Sequence, residues 1–266
     1  MQVYRGLPIL TAQPSGPTRL VAIWPLTHEG SVGEFQRLAH RAVDEVLAAG
    51  ETPIVAGGTG LYLRAALGEL QLPPAPAPGA RARWSEFYDS AGPAEAHAQL
   101  AGRDRPAAAV VHPNDRRRVV RALELAAAGH SLAPAEGRLW SAETGQPTLL
   151  VGLRMPEELL ERRIAKRVGA MFEAGVEEEV RRALAAGVSA TARRALGLDE
   201  IASLPSSEAR AALVLRTRRY AAYQRKWLRR MPGLVSVAAD RPPGVIADEI
   251  LDLARTRQHV PPRRAG

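Results

Sequence analysis

The 266-residue sequence has no cysteine. That excludes disulfides, thiolate metal sites and a cysteine nucleophile, and it accords with a reducing cytoplasm. Aromatic residues are scarce, at 5%, while Ala and Arg abound, a bias that high-GC codon usage explains as well as function does. No apolar run approaches the roughly 18 residues of a membrane-spanning helix. The opening MQVYRGLPIL has one Arg, little apolar length and no small-residue cleavage site, so it does not read as a signal peptide. The histidines, His28, His40, His97, His112, His130 and His259, show no ligand spacing and no accompanying carboxylate cluster, so no metal site is expected from them.

What the sequence does have is positive charge. Lys and Arg number 36 against 28 Asp and Glu, a formal +8, with an isoelectric point near 10.6. Such a balance favours a polyanionic partner over a neutral one; an Arg-rich solvated surface is the alternative. Hydrophobic residues make up 46% and charged residues 24%, the composition of an ordinary globular chain long enough for one large domain or a core with an inserted lobe.

The spacing of apolar residues predicts a helix over 33–49, with Phe35, Leu38, Ala42, Val46 and Ala49 on one face and Gly50 beyond its end. The run 52–56 (TPIVA) reads as a short buried strand of a parallel sheet, and Gly57-Gly-Thr59-Gly then turns into a helix from Leu61. Helix, strand, Gly-rich turn and helix together make an α/β unit with right-handed crossovers. Residues 71–80 (QLPPAPAPGA) read as a Pro-stiffened joint. Residues 81–129 are helical by pattern, 131–147 loop-like, and 148–154 (TLLVGLR) a second apolar strand. Helical periodicity continues over 156–186, broken near Gly175, and over 207–230; a strand at 234–238 and a helix near 244–257 follow. No internal repeat is found. The domain expectation is an α/β core of 1–70 and 148–266 with a helical insertion at 71–147.

Three segments have the chemistry to bind something. Gly57-Gly-Thr59-Gly60 sits where a strand's carboxyl end meets a helix, the edge at which open α/β sheets take ligands; Thr59 as a plain N-cap is the alternative. In HPNDRRRVVRALE (112–124), Asn114 or Asp115 caps a helix that carries Arg116, Arg117, Arg118 and Arg121. Arg117 and Arg121 are i,i+4 neighbours and Arg118 and Arg121 are i,i+3 neighbours. Their guanidinium forks suit phosphates and base edges, and packed like charges weaken a helix unless an anion joins them. The third segment, 216–230, has seven basic residues and no acid, with Tyr220, Tyr223 and Trp227 on one face. Those aromatics can be buried anchors, Trp227 above all, leaving basic faces for a polyanion; a membrane-surface helix lacks the apolar stripe it would need.

Together these segments resemble the tRNA dimethylallyltransferase (tRNA isopentenyltransferase) family. The matches are MQVYRGLPILTAQPS at the start, SVGEFQR at 31–37, GGTGLYLRA from Gly57, an LP-rich joint followed by Arg81, HPNDRRRVVRALE, MFEAGVEEEVRRAL at 171–184, RRALG at 193–197 and TRRYAAYQRKW at 217–227. The resemblance implies an α/β fold with a P-loop-NTPase-like parallel-sheet core and a helical insertion. It implies transfer of a dimethylallyl group from dimethylallyl diphosphate to the exocyclic N6 of adenosine 37 in tRNA, with Mg2+ assisting departure of the diphosphate. The adenosine would leave its stack and enter a channel where the donor waits. Carried onto this sequence, the tRNA-facing positions are Met1, Gln2, Thr59, Arg81, Arg117, Arg118, Arg121, Arg194 and Gly197, with Arg194 to Asp199 as one stretch. The expected partners are a tRNA anticodon stem-loop and dimethylallyl diphosphate, with no membrane; a cytoplasmic monomer is expected.

This sequence departs from the family pattern in two ways. It holds no GxxxxGK[ST] loop to cradle the donor diphosphate, and no acidic residue precedes Met-Gln-Val-Tyr to act as general base, so no catalytic residue is assigned. Met1 coincides with an internal Met of the family segment, and the expectation is a core whose first strand and P-loop are missing through a miscalled start; the codons upstream of Met1 decide that. Internally, the family's Leu-Ile-Asp appears as Leu20-Val-Ala22-Ile and its Gly-Tyr-Lys/Arg as Gly197-Leu198-Asp199. These exchanges favour a second reading, a non-catalytic RNA-binding remnant. A P-loop-related small-molecule kinase is the third, and the basic helices argue against it.

Overall fold

The computed structural model describes residues 1–68, 70, 73–74, 77–133 and 144–258, with side chains to 256. The chain divides into two compact units, Met1–Glu69 with Ala142–Gly266, and Leu70–Ser141. Much of the 71–80 joint, most of the 131–147 loop and His259 lie outside the described residues.

In the first unit, α1 (Val32–Ala48) starts where the Ser31 hydroxyl accepts from the Glu34 amide at 3.1 Å, and Gly50 beyond its end takes φ +75°, a conformation that costs a residue without Cβ little. α2 (Gly60–Leu67) packs on α1. β1 (Val151–Arg154) pairs in parallel with β2 (Val235–Ala238), in the register Val151 to Val235 and Arg154 to Ala238. Between them run α6 (Glu157–Glu173), α7 (Val176–Ala185), a 3-10 turn (Ala192–Arg194), α8 (Leu198–Ser203) and α9 (Ser206–Leu228); α10 (Pro243–Gln258) ends the described chain. Gly175, at φ +85°, separates α6 from α7. The apolar faces of α6 to α9 close a core around Val168, Val176, Val180, Leu198 and Leu213.

Residues 7–13 plug that core with Leu7 and Leu10, which are 0% and 4% exposed. Buried backbone must find partners, and here Glu179 supplies them: its carboxylate accepts from the Ile9 and Leu10 amides at 2.9 and 2.8 Å. Tyr4 and Trp24 form a smaller cluster, their rings edge-on with centroids 5.7 Å apart.

The expected strand at 52–56 is not formed. Those residues are irregular, and Ile54 is 88% exposed. An extended run becomes a strand only where a neighbouring ladder accepts its hydrogen bonds, and β1 pairs with β2 alone among the described residues.

In the second unit, α3 (Ala80–Arg103) breaks at Gly92-Pro93, where Gly92 takes φ 84° and ψ 167°. α4 (Arg105–Val110) is capped by Asp104, and α5 (Arg116–Ala127) packs along α3. Trp84, Tyr88, Leu100, Val119 and Leu123 form its core. The helical pattern read over 81–129 is therefore three helices.

Candidate nucleic-acid interface

The turn at 57–60 takes its shape from α9. Tyr220, Gln224 and Trp227 recur at i, i+4 and i+7, so one helix face meets the turn. The Tyr220 hydroxyl lies 2.8 Å from the Thr59 hydroxyl and donates to the Gly58 carbonyl at 3.3 Å. Gln224 Nε2 donates to the same carbonyl at 2.9 Å. The Trp227 indole covers Gly60 so closely that a Cβ there would lie 1.8 Å from the ring, and one on Gly58 would lie 2.0 Å from Gln224 Nε2. Thr59 stands at the N-cap position of α2, yet its side chain makes no cap hydrogen bond. Its hydroxyl is held by Tyr220 instead, so the capping alternative is set aside. Tyr223 does not share this face and is 56% exposed.

Beside Tyr220 an open groove of about 610 Å³ runs along α9, lined by the apolar Leu196, Ala212 and Leu215, by Arg216 and Arg219, and by the acid Glu200. Several α9 arginines are already matched by acids: Arg216 with Glu200 at 2.5 Å, Arg218 with Glu161 at 3.5 Å and Arg225 with Glu157 at 2.9 Å. The Arg225 hydrogen bond holds the Glu157 carboxyl below the usual carboxylate range.

In the same unit Gln2 is exposed, and its side chain is spent within the chain, donating to the Thr11 and Ala12 carbonyls at 3.1 and 2.7 Å. Gln13 returns the tie to the Gln2 and Tyr4 carbonyls. Met1 is 40% exposed. Arg194 ends the 3-10 turn. Gly197 takes φ +95°, and a Cβ there would sit 2.5 Å from Leu213 Cδ1, so this position requires glycine for packing as well as for backbone. Asp199, one of the two expected departures from the family pattern, accepts from Arg193 Nε at 2.8 Å. At the other departure, Leu20 and Ala22 both take positive φ, 63° and 52°; nothing in the structure explains the exchange at Ala22.

The second unit places Arg116, Arg117 and Arg118 on the exposed first turn of α5, which Asp115 caps through the Arg118 amide at 3.1 Å. Arg116 grips Asp89 with two nitrogens, at 2.7 and 2.5 Å, and this bond pulls the Asp89 carboxyl below its ordinary range. Arg81 and Arg121 converge on one buried acid, Glu124. The sequence motif contains that glutamate, but spacing alone does not show that its carboxylate faces inward. Likewise the i, i+4, i+7 recurrence of Tyr220, Gln224 and Trp227 was readable, but not its target.

Among the described residues no group of three or more His, Asp or Glu comes together that could hold a metal ion, so no residue here is assigned to magnesium. Nor is any helix among them long and apolar enough to cross a membrane.

Comparison with known proteins bears on this arrangement directly. The family model described as IPP transferase matches residues 2–231. The chain belongs to the IPP transferase family. A tRNA dimethylallyltransferase of Streptomyces coelicolor is 40% identical over 245 residues, spanning 87% of this chain and 78% of that one. Among solved structures, the full-length tRNA isopentenylpyrophosphate transferase of Bacillus halodurans matches with a TM-score of 0.67 at 29% identity, covering 96% of this chain and 85% of its own. A eukaryotic dimethylallyltransferase acting on tRNA, 21% identical, matches with a TM-score of 0.74 over 100% of this chain and 74% of its own, and so speaks for the fold. The fold class is the P-loop-like α/β class of these IPP transferases, although the described residues are mostly helical with one two-stranded parallel sheet.

Proposed function

We propose that this IPP transferase acts in tRNA modification, in the transfer of a dimethylallyl group from dimethylallyl diphosphate to N6 of adenosine 37. In that reaction the bond from the prenyl C1 to diphosphate oxygen breaks, the N6–C1 bond forms, diphosphate leaves and N6 gives up a proton. The observation that carries the reading is the Thr59 hydroxyl, held by Tyr220, whose ring borders a groove lined by Leu196, Leu215, Arg216 and Arg219 with Glu200. Its RNA-facing residues are Met1, Gln2, Thr59, Arg81, Arg117, Arg118, Arg121, Arg194 and Gly197. The partners are a tRNA anticodon stem-loop and dimethylallyl diphosphate, and the setting is a cytoplasmic monomer. Residues 71–147 would be the helical insertion into a core of 1–70 and 148–266. The relatives' names and the match over 87% of the chain support the reading. Magnesium belongs to it only through the family, and no step is routed through it.

The second reading, an RNA-binding protein without transferase activity, is favoured by Asp199, which engages Arg193 where the family pattern has a base. One experiment tests both. Purified 1–266 is mixed with a 17-nucleotide anticodon stem-loop carrying adenosine 37 and with labelled donor. Salt-sensitive binding with prenyl transfer is the expected result of the first reading, and salt-sensitive binding without transfer that of the second. No binding at low salt would overturn the RNA assignment, and prenylation would overturn the second reading.

A further inference from the structure

Glu124 is the acid on which Arg81 and Arg121 converge. Its side chain is 0% exposed, and a carboxylate withdrawn from water is costly unless its oxygens are matched. Arg81, from the first turn of α3, donates through Nε at 2.9 Å and Nη2 at 3.3 Å. Arg121, one turn earlier on α5, donates through Nη1 at 3.0 Å. The bases are not buried with it: the Arg81 side chain is 60% exposed and that of Arg121 20%. Arg121 also reaches back through Nη2 to the carbonyls of Pro73 and Pro74, so its guanidinium plane is fixed from two sides.

A buried acid that serves stability alone is replaceable by an apolar side chain of similar volume, often at no cost. What an apolar side chain cannot do is hold two planar guanidinium groups in a set orientation. Rotamer freedom that RNA binding would otherwise remove from these two arginines is already lost in the free protein. We propose that Glu124 is a positioning residue for RNA, holding Arg81 and Arg121 as a pre-oriented pair for the phosphate backbone. This rests on the reading of those two arginines as RNA contacts, and the test separates the two failures.

The affinity of the full 266-residue chain for the anticodon stem-loop is measured by fluorescence anisotropy for four proteins: the unaltered chain, Glu124→Gln, Arg81→Gln/Arg121→Gln and the triple variant. Thermal midpoints are recorded in parallel. Glu124→Gln should weaken binding by about tenfold, the arginine double variant should weaken it at least as much, and the triple variant should bind no worse than the double. Should the arginine double variant bind like the unaltered chain, the RNA reading of this unit fails. Should that variant weaken while Glu124→Gln does not, or should the Glu124→Gln loss persist in full in the triple variant, the positioning role is overturned. If Glu124→Gln does not fold, Arg81→Gln and Arg121→Gln are compared singly and together. Losses that do not add support a shared carboxylate, and simple additivity overturns it.

Discussion

Glu179 offers the sharpest test of how the first unit is held together. It is 3% exposed, and its two oxygens accept the Ile9 and Leu10 amides at 2.9 and 2.8 Å. Hydrogen bonds to a charged acceptor contribute about 1.5–3 kcal/mol each, and an amide left buried without a partner costs a similar amount. Glu179→Ala removes both bonds, so the expected loss is roughly 3–6 kcal/mol. Glu179→Gln keeps one oxygen for one amide but turns an NH2 toward the other, and about half that loss is expected. At roughly 2–4 °C per kcal/mol for a chain of this length, the alanine variant should melt roughly 6–24 °C below the unaltered protein. The assay is urea denaturation followed by tryptophan fluorescence, together with hydrogen exchange resolved at Ile9 and Leu10. Those two amides should lose protection first, because the 7–13 segment keeps its packing and the ties of Gln2 and Gln13 but has no acceptor left for Ile9 and Leu10. A cost under about 1 kcal/mol, with both amides still protected, would refute the reasoning.

Three further outcomes are expected. Gly60→Ala would place a methyl 1.8 Å from the Trp227 ring; the indole must move, at about 1–3 kcal/mol, and a shift in tryptophan emission with weaker RNA binding should accompany it. Arg117→Ala/Arg121→Ala should weaken binding to the anticodon stem-loop and reduce the slope of log affinity against log salt by about 1.4, two phosphate contacts at roughly 0.7 each; an unchanged slope removes that helix from the interface. Burial raises the Tyr4 phenol above its ordinary value of 10.0. The folded state therefore keeps a proton that the unfolded chain releases, so this contribution is whole below pH 10 and falls as pH rises through the folded value. In Tyr4→Phe that alkaline fall in stability should shrink, as a pH series of urea midpoints would show.

Helices were the legible part of this chain, because a 3.6-residue apolar period survives in sequence whatever the helix packs against. The reading at 33–49 met α1 at Val32–Ala48, and the reading at 207–230 met α9 at Ser206–Leu228. Strand reading failed where it depended on a partner: TPIVA at 52–56 has the composition of a buried strand, but its Ile54 lies open to solvent. The candidate site divides the same way. That residues 112–124 form a capped arginine helix follows from local chemistry, and Asp115 caps it. That Glu124 turns inward and gathers Arg81 from 43 residues away is a tertiary fact with no local trace. Gly197 looked like part of a contact motif; its positive φ and the nearness of Leu213 give it a packing reason that spacing could not reveal.

Net charge overstates what this surface offers an RNA. A count of seven cations over 216–230 assumes that each is available, yet Glu200, Glu161 and Glu157 each sit against one of them. In the second unit Asp89 takes Arg116 and Glu124 takes Arg81 and Arg121. Phosphates must compete with these carboxylates or bind the outward edges of arginines that already have a partner. Exposed pairs such as Arg225–Glu157 are worth little in water, so a phosphate can displace the acid and gain a cation. A pair built on a fully buried acid cannot open without stranding a charge, so Arg81 and Arg121 must meet RNA while still holding Glu124. The two kinds of arginine should therefore differ in salt response. Removing Glu157 ought to strengthen RNA binding by freeing Arg225, whereas removing Glu124 ought to weaken it, although both changes make the chain more positive by the same amount. A model based on net charge alone gives the two substitutions the same sign, and measuring both affinities at one salt concentration is enough to choose between them.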